Sequence, residues 1–359
     1  MNSHKSRPMR VLVVDDSAFN RQTIVTLLDR CKDVQVVGRA NNGESALKES
    51  FRLKPDLITL DLEMPGMDGF TFLRILMNKQ PTPVIVVSSH SHQNNVFKAL
   101  ELGALDFISK PTNQISAELV SIGDELVEKI AMVRMLKKPM ARVSMEQTGS
   151  VKKPNSVDAL YQGGSVVPKA IVVIGASTGG PPALQSLFLR LPWQLPLAYL
   201  VAQHMPPKFT RAFADRLDRS VGLTVREASG GEVIEAGMVF VAPGGFHMRV
   251  KKQGDFYMTE INETSDAKYI PSIDVLFESA AVAVGKNLAG VILTGMGNDG
   301  KMGIEAIKRN GGLTIAESEQ SAVIFGMPRE AIASGMVDSV LHLDLIAERL
   351  VRFVKSLDE

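Results

Sequence analysis

The sequence lacks several features that would point to particular classes of protein. Its 359 residues contain a single cysteine, Cys31, so no disulfide can form within the chain, as suits a reducing compartment. No apolar run is long enough to span a bilayer, and the first residues, MNSHKSRPMR, lack the apolar stretch of a signal peptide. Positive and negative charges nearly cancel, at +1, which argues against nucleic acid as the main partner. We therefore expect a cytoplasmic protein that binds no nucleic acid and does not insert directly into the membrane.

Two successive patterns of alternating strands and helices fill most of the chain. The first contains RVLVVDD, VQVVGRA, DLITLDL, PVIVVSS and DFISKP, and the second contains AIVVIGA, LPLAYLVAQH, GMVFVAP and LAGVILTG. Short, nearly continuous apolar segments between helices are typical of parallel sheets covered on both faces. In the second pattern, FHMRVKK and GDFYMTEI alternate polar and apolar residues and predict a small antiparallel hairpin.

The stretch between the two patterns differs in composition. Residues 137–168 are rich in Lys, Pro, Ser and Gly and have little apolar periodicity, which indicates an interdomain linker. We therefore predict a doubly wound α/β domain at 9–130, a linker at 131–167, and a second doubly wound α/β domain with a small antiparallel element at 168–357. The length of 359 residues agrees with two domains.

Charged and hydroxyl side chains follow the strands of the first domain. Asp15 and Asp16 end the first strand, Asp61 the third and Ser88 the fourth, and Lys110 follows the fifth. The carboxyl ends of parallel strands converge on one crevice, where crowded carboxylates repel unless a hard cation such as Mg²⁺ lies among them. A lysine and a hydroxyl beside them would hold phosphoryl oxygens, so Asp61 is a candidate nucleophile that forms an aspartyl phosphate. Any one of these residues, taken alone, could equally be a helix cap or a strand end.

The motifs VVDDS, DLEMPGMDG, VVSS and ISKP resemble the receiver domain of bacterial response regulators over residues 9–130. This resemblance implies a flavodoxin-like fold with a five-stranded parallel sheet, phosphorylation at Asp61, bound Mg²⁺, and a cis bond between Lys110 and Pro111. The metal ligands that it implies are Asp15, Asp16, Asp61 and the backbone carbonyl of Glu63. The switch residues that it implies are Ser88, Phe107 and Lys110.

The stretch IGASTGG, residues 174–180, is the most informative part of the second domain. Residues 175–179 fit the G-x-S-x-G pattern of a nucleophile turn, with a strand before Ser177 and a helix that starts at Pro181 and Pro182. N–H groups at the N-terminus of that helix would then face a developing oxyanion. A dinucleotide-binding loop would need G-x-G-x-x-G and an acidic residue at the end of the next strand, and the sequence provides neither. Ser177 is therefore a candidate nucleophile.

A serine nucleophile needs a histidine base and a carboxylate that orients the imidazole. His204 directly follows a strand, and strand ends gather at one crevice in this architecture, so His204 is favoured over His247 in the turn APGGFH. For the acid, Asp299 in LTGMGNDG is favoured over Asp274, which opens a helix and is explained by that position. Glycines around Met296 would let backbone N–H groups approach a substrate oxygen.

The segments GASTGG, QHMP, FVAPGG, PSIDVLF and LTGMGNDG resemble the catalytic domain of the chemotaxis protein-glutamate methylesterases. With the receiver-like segment ahead of it, the resemblance extends over the whole chain. It implies that Ser177 is the nucleophile, His204 the base and Asp299 the acid. It also implies that the backbone N–H of Met296 serves the oxyanion, that Thr178 lies in the site, and that this domain needs no cofactor.

The same resemblance implies a phosphorylation-activated enzyme of sensory adaptation. Its substrates would be glutamate γ-methyl esters on methyl-accepting chemotaxis receptors, with glutamine deamidation as a further activity, and its phosphodonor would be a chemotaxis histidine kinase. One departure is that Tyr269 and Ile270 stand where the family often has a basic pair, which bears on contacts at the rim of the site. Two alternatives remain: a receiver-controlled switch whose second domain only binds a partner, and a nucleotide-dependent enzyme.

Overall fold

The chain divides into two compact units, Met1–Ser144 and Met145–Glu359. This computed structural model describes residues 7–88, 93–110, 123, 125–130, 133–134, 136, 167–263 and 268–358. The domain boundaries predicted from composition, at 130 and 168, remain predictions. Within the described residues, no helix combines the length and the apolar character that crossing a membrane requires.

The first unit is a five-stranded parallel sheet whose strands alternate with helices. The strand order is β2-β1-β3-β4-β5, and every neighbouring pair is parallel. This order confirms the predicted flavodoxin-like fold, in which β1 and β3 flank the point where the chain changes direction across the sheet. The elements are β1 (Met9–Val14), α1 (Ala18–Asp29), β2 (Val34–Ala40), α2 (Gly43–Leu53), β3 (Leu57–Leu60), α3 (Gly69–Lys79), β4 (Val84–Ser88), α4 (Gln93–Glu101) and β5 (Asp106–Ser109).

Local sequence signals account for these elements. All residues of β3 and β4 are buried, as expected for central strands that helices cover on both faces. Helices α1, α2 and α3 each begin after a polar cap residue whose side chain accepts a backbone N–H of the first turn; these residues are Ser17, Asn42 and Asp68. Each cap residue lies in the loop that follows a strand, so polar loops lie at the carboxyl ends of β1, β2 and β3.

The second unit is built on a seven-stranded parallel sheet. Its strand order is β14-β13-β12-β6-β7-β9-β8, and β10 and β11 form a separate antiparallel pair. The predicted doubly wound domain with a small antiparallel element is confirmed. The elements are β6 (Ala170–Ala176), α5 (Gly180–Arg190), β7 (Leu197–Gln203), α6 (Phe209–Ser220), β8 (Thr224–Glu227), β9 (Met238–Val241), β10 (His247–Gln253), β11 (Phe256–Asn262), α7 (Ile273–Val284), β12 (Leu288–Ile292), α8 (Lys301–Arg309), β13 (Leu313–Glu317), α9 (Met327–Ala333), β14 (Ser339–Leu341) and α10 (Leu343–Ser356).

The topology of this sheet predicts where a site should lie. From β6 the chain adds β7, then β8 at the edge and β9 between β7 and β8, and it then crosses to β12 on the other side of β6. The crevice outside the carboxyl ends of β6 and β12 is therefore the topological switch point, where ligands bind in open α/β sheets. The antiparallel pair contributes to the same core, because Met248 and Val250 of β10 pack with Leu276 and Phe277 of α7.

One hydrogen-bonded carboxylate ties the loop before β9 to the antiparallel pair. Glu232 accepts the backbone N–H and the hydroxyl of Ser229, both at 2.6 Å, the N–H of Gly230 at 2.8 Å, and the hydroxyl of Thr259 in β11. Partial burial opposes ionisation, but the hydrogen bonds from Ser229 and Thr259 outweigh it and lower the pKa of Glu232 to about 2.

We predict that Glu232→Gln lowers the free energy of unfolding of the second unit by about 1–2 kcal/mol at pH 7, because an amide replaces a charged acceptor. The folded-state pKa lies below the unfolded value, so this stability is present above about pH 4.5 and is lost as the pH falls toward 2. Urea unfolding followed by the fluorescence of Trp193, the single tryptophan, reports on this unit. The gap between wild type and variant should narrow from pH 7 to pH 3.5.

The matched control is Glu263→Gln, which changes an exposed glutamate just after β11 and should leave stability unchanged at both pH values. A gap between wild type and Glu232→Gln that is equally large at pH 7 and pH 3.5 would contradict the role given to the carboxylate.

Candidate active site

The turn after β6 carries Ser177 and is held from two sides. The Ser177 N–H donates to the carbonyl of Thr294 at 3.0 Å, and the Ser177 carbonyl accepts the Gly180 N–H at 2.8 Å. Gly179 has a φ of 77°, a left-handed conformation that a glycine adopts without strain. The tight turn leaves the Ser177 side chain at the carboxyl end of β6, next to the switch point.

The helix that follows this turn offers few backbone donors to a ligand. Pro181 and Pro182 occupy the start of α5 and have no N–H, and the Gly180 N–H is already bonded to Ser177. Residues 180–182 therefore leave no free backbone N–H for an oxyanion, contrary to the expectation for this helix N-terminus. The same lack of donors argues against a phosphate cradle at this loop, since such a cradle is made of free backbone N–H groups.

Asp299 follows β12 and is a buried carboxylate, 5% exposed, that receives many hydrogen bonds. Its oxygens accept the N–H groups of Ile273, Asp274 and Gly300 at 2.8, 2.9 and 3.1 Å, and the hydroxyl of Ser272 at 3.0 Å. Three of these donors belong to the first turn and cap of α7, so the positive end of that helix faces the carboxylate. Burial alone would raise the pKa of Asp299, but the hydrogen bond from His204 and those from α7 lower it.

His204 follows β7 and pairs with Asp299. Its Nε2 lies 2.8 Å from Asp299 Oδ2, and its backbone N–H donates to the carbonyl of Ala176 at 3.0 Å, one residue before Ser177. In a neutral imidazole whose Nε2–H donates to the carboxylate, Nδ1 is left as the proton acceptor. The structure thus brings His204 and Asp299 together, and Ser177 lies at the end of the neighbouring strand.

Gln203, which sequence analysis did not single out, joins the two strand ends. Its side-chain Nε2 donates to the carbonyls of Ser177 and His204, at 2.9 and 3.0 Å. Its Oε1 approaches Gly180 so closely that a Cβ there would lie 1.9 Å away, which explains the glycine. The Gln203 amide therefore holds the backbone of both Ser177 and His204.

Thr294 and Glu317 form a second buried support under the serine turn. The Thr294 hydroxyl donates to the carbonyl of Thr178 at 2.9 Å and accepts the Ile324 N–H at 2.9 Å. The Glu317 carboxyl, 1% exposed, accepts the Thr294 N–H at 2.8 Å. Burial raises the pKa of Glu317 to about 7. Thr178 itself is buried, and its part in the site stays a prediction.

His247 and Asp274, the alternative base and acid in the sequence, have other hydrogen-bond partners in the structure. His247 is buried, and its Nδ1 accepts the Ser272 N–H at 3.0 Å, so it supports the start of α7. Burial and the nearby Arg249 lower the pKa of His247. Asp274 accepts the Gly303 N–H at 2.7 Å, and burial together with the neighbouring Asp299 charge raises its pKa. His247 therefore holds the start of α7, and Asp274 holds the first turn of α8.

Met296 and Tyr269 complete the surroundings of the pair. Met296 follows Gly295, at which a Cβ would lie 2.8 Å from Ser177 Cβ, so the loop after β12 passes directly beside the serine. The ring of Tyr269 stacks on the imidazole of His204, with centroids 4.8 Å apart and an angle of 2° between the planes. No sequence pattern indicated this stack.

The first unit places its predicted residues at the carboxyl ends of β1, β3 and β5. Asp15, Asp16 and Asp61 offer oxygen atoms that all lie within 4.8 Å of one another. Lys110 Nζ lies 2.6 Å from Asp61 Oδ2 and 3.1 Å from Asp15 Oδ2. Asp15 is fully buried, and burial raises its pKa although Lys110 opposes this. Because the oxygens of three carboxylates crowd together here, they fit a small divalent cation.

The remaining predicted residues of this unit lie around the same cluster. The Glu63 N–H donates to Asp61 Oδ1 at 3.3 Å, and the part of its carbonyl as a ligand stays a prediction. Ser88 is buried at the end of β4 and Phe107 is buried within β5, and Lys129 Nζ lies 5.7 Å from the Phe107 ring centroid. The predicted cis bond between Lys110 and Pro111 lies outside the described residues, because Pro111 is not among them.

Comparisons with known proteins agree with this two-part architecture. A family profile for the CheB methylesterase matches residues 172–350, and one for the response regulator receiver domain matches residues 11–120. The protein-glutamate methylesterase/protein-glutamine glutaminase 3 of Geobacter sulfurreducens is 44% identical, over 96% of this chain and 97% of its own. A relative of the same description from Anaeromyxobacter dehalogenans is 47% identical over 98% and 97%.

A solved structure also resembles the second unit. The crystal structure of the Thermotoga maritima CheB methylesterase catalytic domain is 39% identical, with a TM-score of 0.50, over 52% of this chain and 98% of that one. The resemblance that the motifs indicated is confirmed by these matches.

We predict that Gly180→Ala lowers the free energy of unfolding by about 1–3 kcal/mol, because its Cβ would meet Gln203 Oε1 at 1.9 Å. A double-mutant cycle with Gln203→Ala tests the cause, with urea unfolding followed by Trp193 fluorescence as the measurement. Adding Gly180→Ala to Gln203→Ala should cost less than Gly180→Ala costs in wild type, since the shortened side chain removes the larger clash and leaves the one with Ala176 Cβ at 2.9 Å. Strictly additive losses would show that the glycine is needed for another reason.

Proposed function

This chain belongs to the receiver-linked CheB methylesterase family, and we propose that it hydrolyses glutamate γ-methyl esters on chemoreceptors by a Ser-His-Asp mechanism. The observation that carries the proposal is the His204–Asp299 hydrogen bond of 2.8 Å at the switch point, beside the serine turn. A histidine joined to a buried carboxylate, next to a serine on a tight turn, is the arrangement that activates a hydroxyl nucleophile.

In the first step, Ser177 Oγ attacks the ester carbonyl carbon while its proton moves to Nδ1 of His204. Asp299 keeps the second imidazole proton on Nε2 and stabilises the imidazolium that forms. Backbone N–H groups near Thr178 and Met296 stabilise the negative charge on the carbonyl oxygen. The tetrahedral intermediate then loses its C–O bond to the methoxy group, which takes the proton from His204 and leaves as methanol.

In the second step, water attacks the acyl-serine. His204 takes a proton from this water, the bond to Ser177 Oγ breaks, and the serine regains its proton, which releases glutamate. A glutamine amide enters the same path with ammonia as the leaving group, so the proposal includes glutaminase activity. Both relatives described above carry this second activity in their names.

We further propose that phosphorylation of Asp61 in the first unit activates the esterase. Asp61 accepts the phosphoryl group from a chemotaxis histidine kinase, forming a bond from its carboxylate oxygen to phosphorus as the donor bond breaks. Asp15, Asp16, Asp61 and the Glu63 carbonyl would hold Mg²⁺, which neutralises the charge on the phosphoryl oxygens. Lys110, within 3.1 Å of two of these carboxylates, would bind the phosphoryl group once it is attached.

The test is methanol release from methylated receptor membranes, with and without Mg²⁺ and acetyl phosphate. Ser177→Ala should lower release at least about a thousandfold, because no other group replaces the nucleophile. Asp61→Ala should lose the increase that the phosphodonor causes in wild type. The matched controls are Ser186→Ala, in the helix after the serine turn, and Asp29→Ala, exposed at the end of α1.

Two results would contradict the proposal. Normal methanol release by Ser177→Ala would favour a second unit that only binds a partner or that uses another nucleophile. An increase with acetyl phosphate that persists in Asp61→Ala would place the phosphorylation elsewhere.

A separate prediction concerns the cation. Asp15→Asn removes one charge from the cluster and should weaken Mg²⁺ binding at least about tenfold, as measured by isothermal titration calorimetry. The Asp29→Ala variant, whose change lies at the far end of α1 from the cluster, is the control and should bind Mg²⁺ like wild type. Equal Mg²⁺ affinity in Asp15→Asn and wild type would mean that Asp15 is not a ligand.

A further inference from the structure

Tyr269 is in flat contact with the proposed base. Its ring lies parallel to the imidazole of His204, at an angle of 2° and with the ring centroids 4.8 Å apart. Lys268 Nζ lies 4.7 Å from the centroid of the same tyrosine ring. Tyr269 directly precedes the segment Ile270–Ser272, which leads into α7, so this ring and the donors that hold Asp299 come from one stretch of chain.

The same tyrosine reaches the loop beside the serine. A Cβ at Gly297 would lie 2.6 Å from Tyr269 Oη, and Gly297 has a φ of 89°. The hydroxyl is buried and has no hydrogen-bond partner among the described residues. Tyr269 therefore extends from the imidazole to the turn after Met296, and its position is set by packing rather than by a hydrogen bond.

The hydrogen bond to Asp299 does not by itself fix the imidazole. A bond along the line from Nε2 to Oδ2 sets the direction of the N–H, but coupled changes in the χ1 and χ2 angles of His204 can still tilt the ring about that line. In the proposed mechanism Nδ1 takes the proton of the serine hydroxyl, so such a tilt would disturb the proton transfer. A parallel aromatic surface prevents it, because the imidazole plane must stay flat against the ring to keep the contact.

We propose that Tyr269 is a positioning residue for His204, whose stacked ring holds the imidazole plane so that Nδ1 faces Ser177. This inference rests on the proposed function and deepens it. The stack acts on the proton transfer and not on substrate binding, so its loss lowers kcat and leaves KM nearly unchanged.

The experiment compares Tyr269→Phe, which keeps the stack, with Tyr269→Leu, which removes it, in the full chain. Tyr257→Leu is the matched control, because Tyr257 is a half-buried tyrosine with Lys252 Nζ 5.9 Å from its ring centroid but lies on β11. Three measurements are made: kcat and KM of methanol release with Mg²⁺ and acetyl phosphate, the rate of Ser177 labelling by a fluorophosphonate, and the NMR shifts of the His204 ring.

We expect Tyr269→Leu to lose about tenfold to a hundredfold in kcat and in labelling rate, with KM within about twofold of wild type. Tyr269→Phe should lose about threefold or less, and Tyr257→Leu should behave as wild type. The ring-current shift of the His204 protons should be present in wild type and Tyr269→Phe and absent in Tyr269→Leu. Thermal unfolding checks that the three variants are folded.

Two outcomes would overturn the inference. If Tyr269→Leu has the kcat and labelling rate of wild type, the reaction does not depend on the stack. A loss in Tyr269→Phe equal to that in Tyr269→Leu would assign the effect to the hydroxyl instead of the ring.

The labelling and NMR measurements need no receptor, so they separate this inference from the proposed function. Wild type that is labelled at Ser177 but releases no methanol would refute the proposed substrate, and the Tyr269 variants would still decide the inference by their labelling rates. Wild type that does neither would refute both, because no base would then be acting on Ser177.

Discussion

The buried carboxylate of Asp299 is the interaction on which the second unit's site depends. A charge that is 5% exposed is tolerable only when hydrogen bonds replace its lost hydration. The start of α7 supplies that replacement with two N–H groups and the Ser272 hydroxyl, and His204 adds a further donor. The direction of the His204 Nε2–H bond, the placement of the start of α7 and the hydrogen bonds of the loop after β12 therefore follow from one electrostatic requirement.

The residues that hold the Ser177 turn are also buried polar groups whose hydrogen bonds replace lost hydration. Gln203 satisfies two strand-end carbonyls, and Thr294 holds the carbonyl of Thr178 and the N–H of Ser177. Glu317 in turn accepts the Thr294 N–H from a position that is almost fully buried. Gln203 ends β7, Thr294 follows β12 and Glu317 ends β13, so the serine turn is held from three different strands.

The parts of this site that sequence could predict are those that follow from strand ends and local motifs. Ser177, His204 and Asp299 each come directly after an apolar strand or in its glycine-rich loop, and the parallel topology makes those ends converge. Gln203 and Thr294 gave no comparable signal, because a buried amide and a buried threonine differ from ordinary strand-end residues only in their partners. The stack of Tyr269 on His204 joins residues 65 positions apart, and only the folded chain brings them together.

In each unit, carboxylates lie at the carboxyl edge of a parallel sheet. They serve different purposes because different groups contact their oxygens. Both oxygens of Asp299 accept hydrogen bonds from N–H and O–H groups, which stabilise its charge and leave it to orient a histidine. In the first unit, Lys110 is in contact with both Asp15 and Asp61, and the Arg21 guanidinium donates to the backbone carbonyls of Asp15 and Asp16. Among the described residues, these two cations beside three carboxylates leave an excess of negative charge. That excess attracts a divalent cation, and the phosphoryl group that we propose for Asp61 can be held there only once the cation offsets it.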